Sequence, residues 1–306
     1  MSVAVIIPIY KQELSELERH SLARCVAVLG RHPLVFFGPR SLTPTHHFRV
    51  APTAIQEGFD DTYFSSPETY SKLLLTTSFY ERFSAFDYVL VYQLDAFVFH
   101  DALTEWCLRS YDYLGAPFRN ASDSSWLGVG NGGFSLRNVR SFLAVLTSLS
   151  KEDPEAYWNI ERLLTTSRTK LLLKSYRKWK KRLGRREDVR EFLSRFIAEG
   201  RPEDLFWGLH AVRFHPPFRV APVDVALDFA IEGGLLDVGT RYASRPPFGC
   251  HQNRFLEMIS RFRAGIERPE GEYEAAVWSL AGRAGLSPEQ TRPQDSETRL
   301  MSDPRP

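Results

Sequence analysis

FDYVLVYQLD, residues 86–95, decides the fold. Tyr88-Val89-Leu90-Val91-Tyr92 is an uninterrupted run of aromatic, β-branched and aliphatic residues, the strongest strand signal in the chain. It delivers Gln93-Leu94-Asp95 to the carboxyl end of that strand. Open α/β sheets bind ligands outside those ends, so Asp95 is a site candidate. It can hold a divalent cation bound to a diphosphate, since Mg²⁺ and Mn²⁺ favour oxygen ligands, or it can simply cap a turn.

The chain before this strand has a βαβ rhythm. Val3 to Ile7 is a continuous apolar run ending at Pro8, expected of a strand buried on both faces. Residues 13–29 place Leu14, Leu17, Leu22, Val26 and Leu29 among polar residues, which predicts an amphipathic helix. Leu34 to Phe37 predicts a second strand that stops at Gly38-Pro39, and Phe48 to Ala51 a third. Ser66-Pro67-Glu68 is a helix start, with Ser as N-cap and Pro at the first helical position. That helix is expected to run to about Arg82, turning Tyr70, Leu73, Leu74 and Tyr80 inward. The rhythm argues for a mostly parallel sheet covered by helices.

After the deciding strand, LGVGNGGFSLR (127–137) concentrates glycines ahead of a helical stretch, 138–149. A dinucleotide-binding fingerprint should follow the first strand and open a helix; here the glycines lie deep in the chain and Phe134-Ser135-Leu136-Arg137 looks extended. That excludes the nicotinamide and flavin reading, and no GxxxxGK[ST] motif is present. A turn that lets a ligand approach the backbone and a plain structural bend both remain open. Residues 155–198 look helical and mostly polar. Pro202-Glu203-Asp204 opens a further helix, where a carboxylate can act as a general base or merely complement the helix dipole.

Composition sets the outer limits. With 306 residues, 43% apolar and 25% charged, the chain is that of a globular protein able to build a core without metal or disulfide staples. The net charge of +2 hides an asymmetry. Residues 168–186 hold ten Lys or Arg and no acid, which leaves the remainder near −8. Three cysteines, Cys25, Cys107 and Cys250, lack the spacing of a zinc ribbon or disulfide framework. No apolar run reaches the roughly 18 residues that span a bilayer. MSVAVIIPIY reads as a strand rather than a signal peptide, and a reducing, cytoplasmic setting is the expectation. The polar, Pro-rich stretch after Leu286 predicts a disordered tail.

Five separated motifs resemble one family. YVLVYQLDAFVF (88–99), YDYLGAP (111–117), GVGNGGFSLR (128–137), PEDLFW (202–207) and PFGCH (247–251) occur in the order seen in the DUF5672 family, which looks like a group of GT-A-fold glycosyltransferases. IIPIY and SSPETYSKLLL fit the same pattern, and the resemblance spans roughly residues 1–255. It implies an α/β/α sandwich with a Rossmann-like, mostly parallel sheet. The GT-A-like domain would occupy 1–265 with a basic helical insertion at 155–198, followed by a helical and then disordered 266–306.

The resemblance also implies site roles. Pro8, Ile9 and Tyr10 would border the nucleoside base. Gln93-Leu94-Asp95 would stand at the DxD motif that holds the metal-bound diphosphate, with Gln93 in place of the first acid, so Asp95 alone supplies charge. Asn131-Gly132-Gly133 would form a backbone floor near the donor sugar. Asp204 would be the base that deprotonates an acceptor hydroxyl in an inverting reaction, with Glu203 hydrogen-bonding acceptor or donor. His251, otherwise readable as a packed or capping residue, would complete the site of a Mn²⁺ or Mg²⁺ ion with Asp95. The resemblance implies a nucleotide-sugar donor but no acceptor identity; the expected reaction takes a hexose from a UDP-sugar by preference to a hydroxyl of a glycan or lipid-linked acceptor.

Several residues keep two readings. Lys72 can meet a phosphate or be a solvated lysine opposite Tyr70. Asp112 can shape the sugar pocket or satisfy backbone amides. Trp126, Phe134 and Trp207 can stack on a sugar or pack in the core. The 168–186 stretch suits a solvated insertion, a helix lying on an anionic membrane at its cytoplasmic face, or, least favoured, nucleic-acid binding. Nucleotidyl transfer is a rival chemistry that usually wants a basic, Gly-rich loop after the first strand, and IPIYKQELSE lacks one. A catalytically silent carbohydrate- or nucleic-acid-binding protein is the rival of a different class.

Overall fold

The computed structural model describes residues 1–119, 125–148, 189–215, 217–232 and 246–251. The expected boundary at 265, the segment 266–306 and the basic stretch 168–186 lie outside the described residues. Of the expected helical insertion, Val189–Ala198 is described and is a helix. Among the described residues no helix is long and apolar enough to cross a membrane.

Six strands form the central sheet, in the edge-to-edge order Ile55–Phe59, Leu34–Pro39, Val3–Pro8, Tyr88–Tyr92, Phe134–Asn138 and Tyr113–Leu114. They are β1 (Val3–Pro8), β2 (Leu34–Pro39), β3 (Ile55–Phe59), β4 (Tyr88–Tyr92), β6 (Tyr113–Leu114) and β9 (Phe134–Asn138). β1 pairs in parallel with β2 and β4, β2 in parallel with β3, and β9 runs antiparallel between β4 and β6. The sheet is therefore mostly parallel, as the apolar runs predict. Every residue of β1 and β4 is buried.

Alternation along β1 divides the core into two layers. Val3, Val5 and Ile7 join a cluster with Leu22, Cys25 and Leu29 of helix α1 (Glu16–Leu29). Ala4 and Ile6 join a second cluster with Leu73, Phe79 and Phe142. Side chains of successive strand residues point to opposite faces, so helices must cover both. The result is an α/β/α sandwich. α1 begins where expected for a chemical reason: Ser15 and Glu18 form a reciprocal capping box.

Two expected elements differ. Phe48–Ala51 does not form the third strand; Thr45–Val50 is helix α2, with Phe48 and His47 packed edge-on against Phe36. A four-residue apolar run fits either period, and tertiary packing chose the helix. The third strand is Ile55–Phe59, a half-exposed sheet edge whose IQEGF pattern carries little signal. The helix from Ser66 is also broken into α3 (Pro67–Leu73) and α4 (Thr77–Glu81). Thr76 turns the chain by bonding Leu73 O through its hydroxyl and capping Phe79 N.

Candidate active site at the sheet switch point

Strand order reverses between β1 and β4: the chain moves from β1 outward to β2 and β3, then returns to the other side of β1. A crevice is expected at the carboxyl ends of those two strands. A cavity of about 690 Å³ lies there. Pro8, Ile9 and Tyr10 line it from the end of β1, and Gln93, Leu94 and Asp95 from the end of β4. Other walls come from Lys11, Glu18, His47 and Tyr70. Lys72 is half-buried on α3 and is not on this wall; it pairs with no acid among the described residues.

A small three-stranded sheet brings His251 to Asp95. β5 (Phe97–Val98) follows the Gln93-Leu94-Asp95 turn, β10 (Ala230–Ile231) precedes Glu232, and β11 (Gly249–Cys250) lies between them. His251 Nε2 is 3.0 Å from Asp95 Oδ1 and 3.1 Å from Gln93 Oε1. Glu232 Oε1 stands 3.7 Å from Nδ1, beyond hydrogen-bond length. Burial works against a charge on His251, but Asp95 and Glu232 overcome it and raise its pKa to about 9.

The atoms here are one imidazole nitrogen, one carboxylate oxygen and one amide oxygen, each of a type that can ligate a divalent cation. Among the described residues no group of three or more His, Cys, Asp or Glu is set to hold a metal ion, so the third ligand would be the amide oxygen of Gln93.

The glycine turn sits between these residues and the expected base. Gly133 O accepts from Gln93 N at 2.8 Å, and a Cβ on Gly133 would overlap His251 Nε2. Gly132 N donates to Asp204 Oδ2 at 3.1 Å, and a Cβ there would overlap Glu203 Oε1. Asn131 takes a positive φ of 62°, tolerable for Asn. It is 2% exposed, and both its amide atoms lack partners. The loop thus brings Gln93, Asp95, His251, Glu203 and Asp204 into one neighbourhood.

Glu203 is not free to bond substrate as expected. At 3% exposure, it is held by Arg137, whose Nη2 reaches Oε1 at 2.7 Å and whose Nη1 reaches Oε2 at 3.1 Å. Burial pushes the Glu203 carboxyl up, while the Arg137 charge pulls it back and holds the pair ionised. Asp204, half-buried, has one oxygen on Gly132 N and the other on Leu205 N. Burial raises its pKa although both amides lower it. Each carboxylate oxygen keeps a lone pair for a substrate proton.

Sequence reading missed Arg137. Its signal was a charged residue inside the apolar strand FSLRN, where an unpaired charge could not stay. Lys11, Glu18, His47 and Glu232 were also missed, and Tyr70 was expected only as core. Asp112 proves to be a backbone anchor, accepting from Arg219 N at 2.7 Å and Ser141 Oγ at 2.6 Å. Trp207 stacks on Phe142 at 3.9 Å and Phe134 packs on Tyr92, so both are core residues. Trp126 is half-buried at the start of β8 (Trp126–Val129), which pairs antiparallel with β7 (Pro117–Arg119).

A family model described as "Protein of unknown function (DUF5672)" matches residues 54–251. Sequence comparison with curated proteins gives no match. Among solved structures, mouse xyloside xylosyltransferase 1 in its apo form is similar at 11% identity and a TM-score of 0.45, over 83% of this chain and 98% of that one. A glycosyltransferase involved in glycosylation of the major capsid of PBCV-1 is similar at 12% identity and 0.29, over 50% and 69%. The 4-diphosphocytidyl-2C-methyl-D-erythritol synthase is similar at 11% and 0.30, over 49% and 81%.

Proposed function

The chain belongs to the DUF5672 family, whose description names no activity, and from its site we propose a glycosyltransferase that moves a hexose from a nucleotide-sugar to a hydroxyl. UDP-sugar is the preferred donor, and a glycan or lipid-linked molecule the acceptor. The observation that carries this reading is the convergence of Asp95, His251, the Gly132–Gly133 turn and Asp204 beside the switch-point cavity.

The chemistry divides among these residues. The nucleoside would sit between the β1 end, at Pro8, Ile9 and Tyr10, and the wall carrying His47 and Tyr70. Asp95, His251 and the Gln93 amide oxygen would hold a divalent cation, which when bound offsets charge on the leaving diphosphate. Asn131, with its unpartnered amide, would meet sugar hydroxyls over the Gly132–Gly133 backbone. Asp204 would accept the acceptor's proton as its oxygen attacks the anomeric carbon and the carbon–diphosphate bond breaks, both electrons leaving with the nucleotide. In-line attack inverts the anomeric configuration. Arg137 and Glu203 would hold the turn in place. The setting we assign is cytoplasmic, with residues 168–186 against an anionic membrane when the acceptor is lipid-linked.

The test is calorimetric binding of UDP, with GDP as control, with and without Mn²⁺, to the parent and Asp95→Ala. Mn²⁺-assisted UDP binding that the variant loses supports the reading and is followed by a screen of UDP-sugars for transfer. Absence of nucleotide binding under every condition would sink it.

A further inference from the structure

Two polar groups on the cavity wall are buried without a hydrogen bond of normal geometry: Nδ1 of His47, and the hydroxyl of Tyr70, which the Gln93 side chain approaches. They belong to opposite faces of the sheet. Phe36 and Phe37 are successive residues of β2, so their rings point to opposite sides. His47 packs edge-on against Phe36 with ring centroids 5.8 Å apart, and Tyr70 lies nearly parallel to Phe37 at 6.2 Å and 15°. Each ring is braced by an aromatic neighbour, and His47 is only 1% exposed.

Such atoms call for an explanation. An unpaired buried polar group lowers the folding equilibrium by roughly tenfold, and native proteins leave few. Two of them on one ligand-sized cavity are a cost that a ligand can offset by supplying the missing partners. Burial lowers the pKa of His47, so its ring is neutral near pH 7 and Nδ1 can accept or donate, according to tautomer. The groups acting on His47 are Glu18, His46 and Lys11, whereas Gln93 and the Arg137–Glu203 pair act on Tyr70. Tyr70 thus stands beside Gln93, and His47 across the sheet from it, against Phe36.

We infer that His47 and Tyr70 determine the specificity of the donor pocket, His47 pairing with the edge of the nucleobase and Tyr70 donating to a ribose or phosphate oxygen of a nucleoside diphosphate. This rests on the reading of the cavity as a nucleotide site. It adds a consequence that structural roles would not share: removing either polar group leaves the empty protein no less stable while weakening the ligand.

The experiment pairs thermal unfolding without ligand and calorimetric titration with UDP and GDP, for the parent, Tyr70→Phe, His47→Leu and His47→Asn. Tyr70→Phe should melt at or above the parent temperature and bind both nucleotides about tenfold more weakly. His47→Leu should bind UDP about tenfold more weakly and discriminate less between the two bases, and His47→Asn should recover part of both. A Tyr70→Phe variant that melts lower and binds UDP as tightly as the parent makes the hydroxyl structural and overturns the inference. So does a His47→Leu variant with the parent's affinity and base preference. Should the parent bind neither nucleotide, the glycosyltransferase reading falls and this inference with it. A parent that binds and variants that bind equally well discard the inference alone.

Discussion

Arg137 and Glu203, 66 residues apart, form a bidentate ion pair that water does not reach, with Arg137 fully buried and Glu203 nearly so. The guanidinium has five N–H donors, and all are used: the other three bond Ser135 Oγ, the Tyr80 hydroxyl and Gly132 O. Burial opposes the arginine charge, and the Glu203 carboxylate outweighs it, so Arg137 stays ionised. The Gly132 carbonyl is held by Arg137 and its N–H by Asp204. The peptide groups on either side of the Gly132 Cα are therefore each fixed, one by Asp204 and the other by Arg137.

Breaking this pair should be costly. Glu203→Gln leaves a buried, uncompensated guanidinium, and about 3 kcal/mol of stability should be lost. Arg137→Lys should lose a similar amount, because an ammonium cannot satisfy the fork of acceptors. The double variant Arg137→Met/Glu203→Leu should recover a large part of that loss. Urea midpoints of the four proteins decide it. A Glu203→Gln protein as stable as the parent would show that the pair contributes little.

Gly133→Ala tests the other side of the turn. The added methyl overlaps His251 Nε2 and lies 2.7 Å from Gln93 Oε1, so it must push the imidazole away from Asp95. Mn²⁺-assisted UDP binding should fall at least tenfold, with the melting temperature lowered by only a few degrees because both groups are side-chain ends. Gly132→Ala should instead cost more stability, since its methyl meets the Glu203 carboxylate inside the buried pair. Equal effects on binding and melting in the two variants would contradict this division.

What the sequence made legible follows from the range of each interaction. β1, β2 and β4 were readable because a strand buried on both faces writes an uninterrupted apolar run. β3 was misplaced because an edge strand writes almost nothing, while Phe48 and Ala51 borrowed the look of a strand from a short helix. Asp95, His251 and Asp204 came from ordered motifs. The surroundings of Glu203, His47 and Tyr70 could not be read that way. Glu203 at a helix start looks the same whether it faces solvent or Arg137. Nothing local reveals that His47 and Tyr70 are unpaired, because that depends on which rings the sheet places beside them.

His251 gives the metal-free protein a pH dependence of stated sign. Its folded pKa, about 9, lies above the ordinary value of 6.5 because Asp95 and Glu232 favour the charged ring against the effect of burial. A raised pKa in a base stabilises fully below the unfolded value and is lost as pH rises through the folded one. Metal-free stability should therefore decline between about pH 6.5 and 9, by on the order of 2–3 kcal/mol. His251→Asn should flatten that slope. Denaturation midpoints across this range measure it, and a parent slope equal to that of the variant would remove His251 as its source.

Asp204 carries the last prediction. Its carboxyl is raised by burial, against the pull of the Gly132 and Leu205 amides, which brings a carboxylate closer to the basicity a proton acceptor needs at neutral pH. Asp204→Asn keeps an oxygen for one amide bond but cannot take a proton. Once a transferring UDP-sugar is found, the variant should lose a factor of about 10²–10⁴ in turnover while binding UDP within twofold of the parent. The parent rate should fall as pH drops through the Asp204 pKa, since only the ionised form accepts a proton. Transfer by Asp204→Asn at the parent rate would leave Asp204 as an anchor for Gly132, and a product with retained anomeric configuration would remove the need for a base at this position.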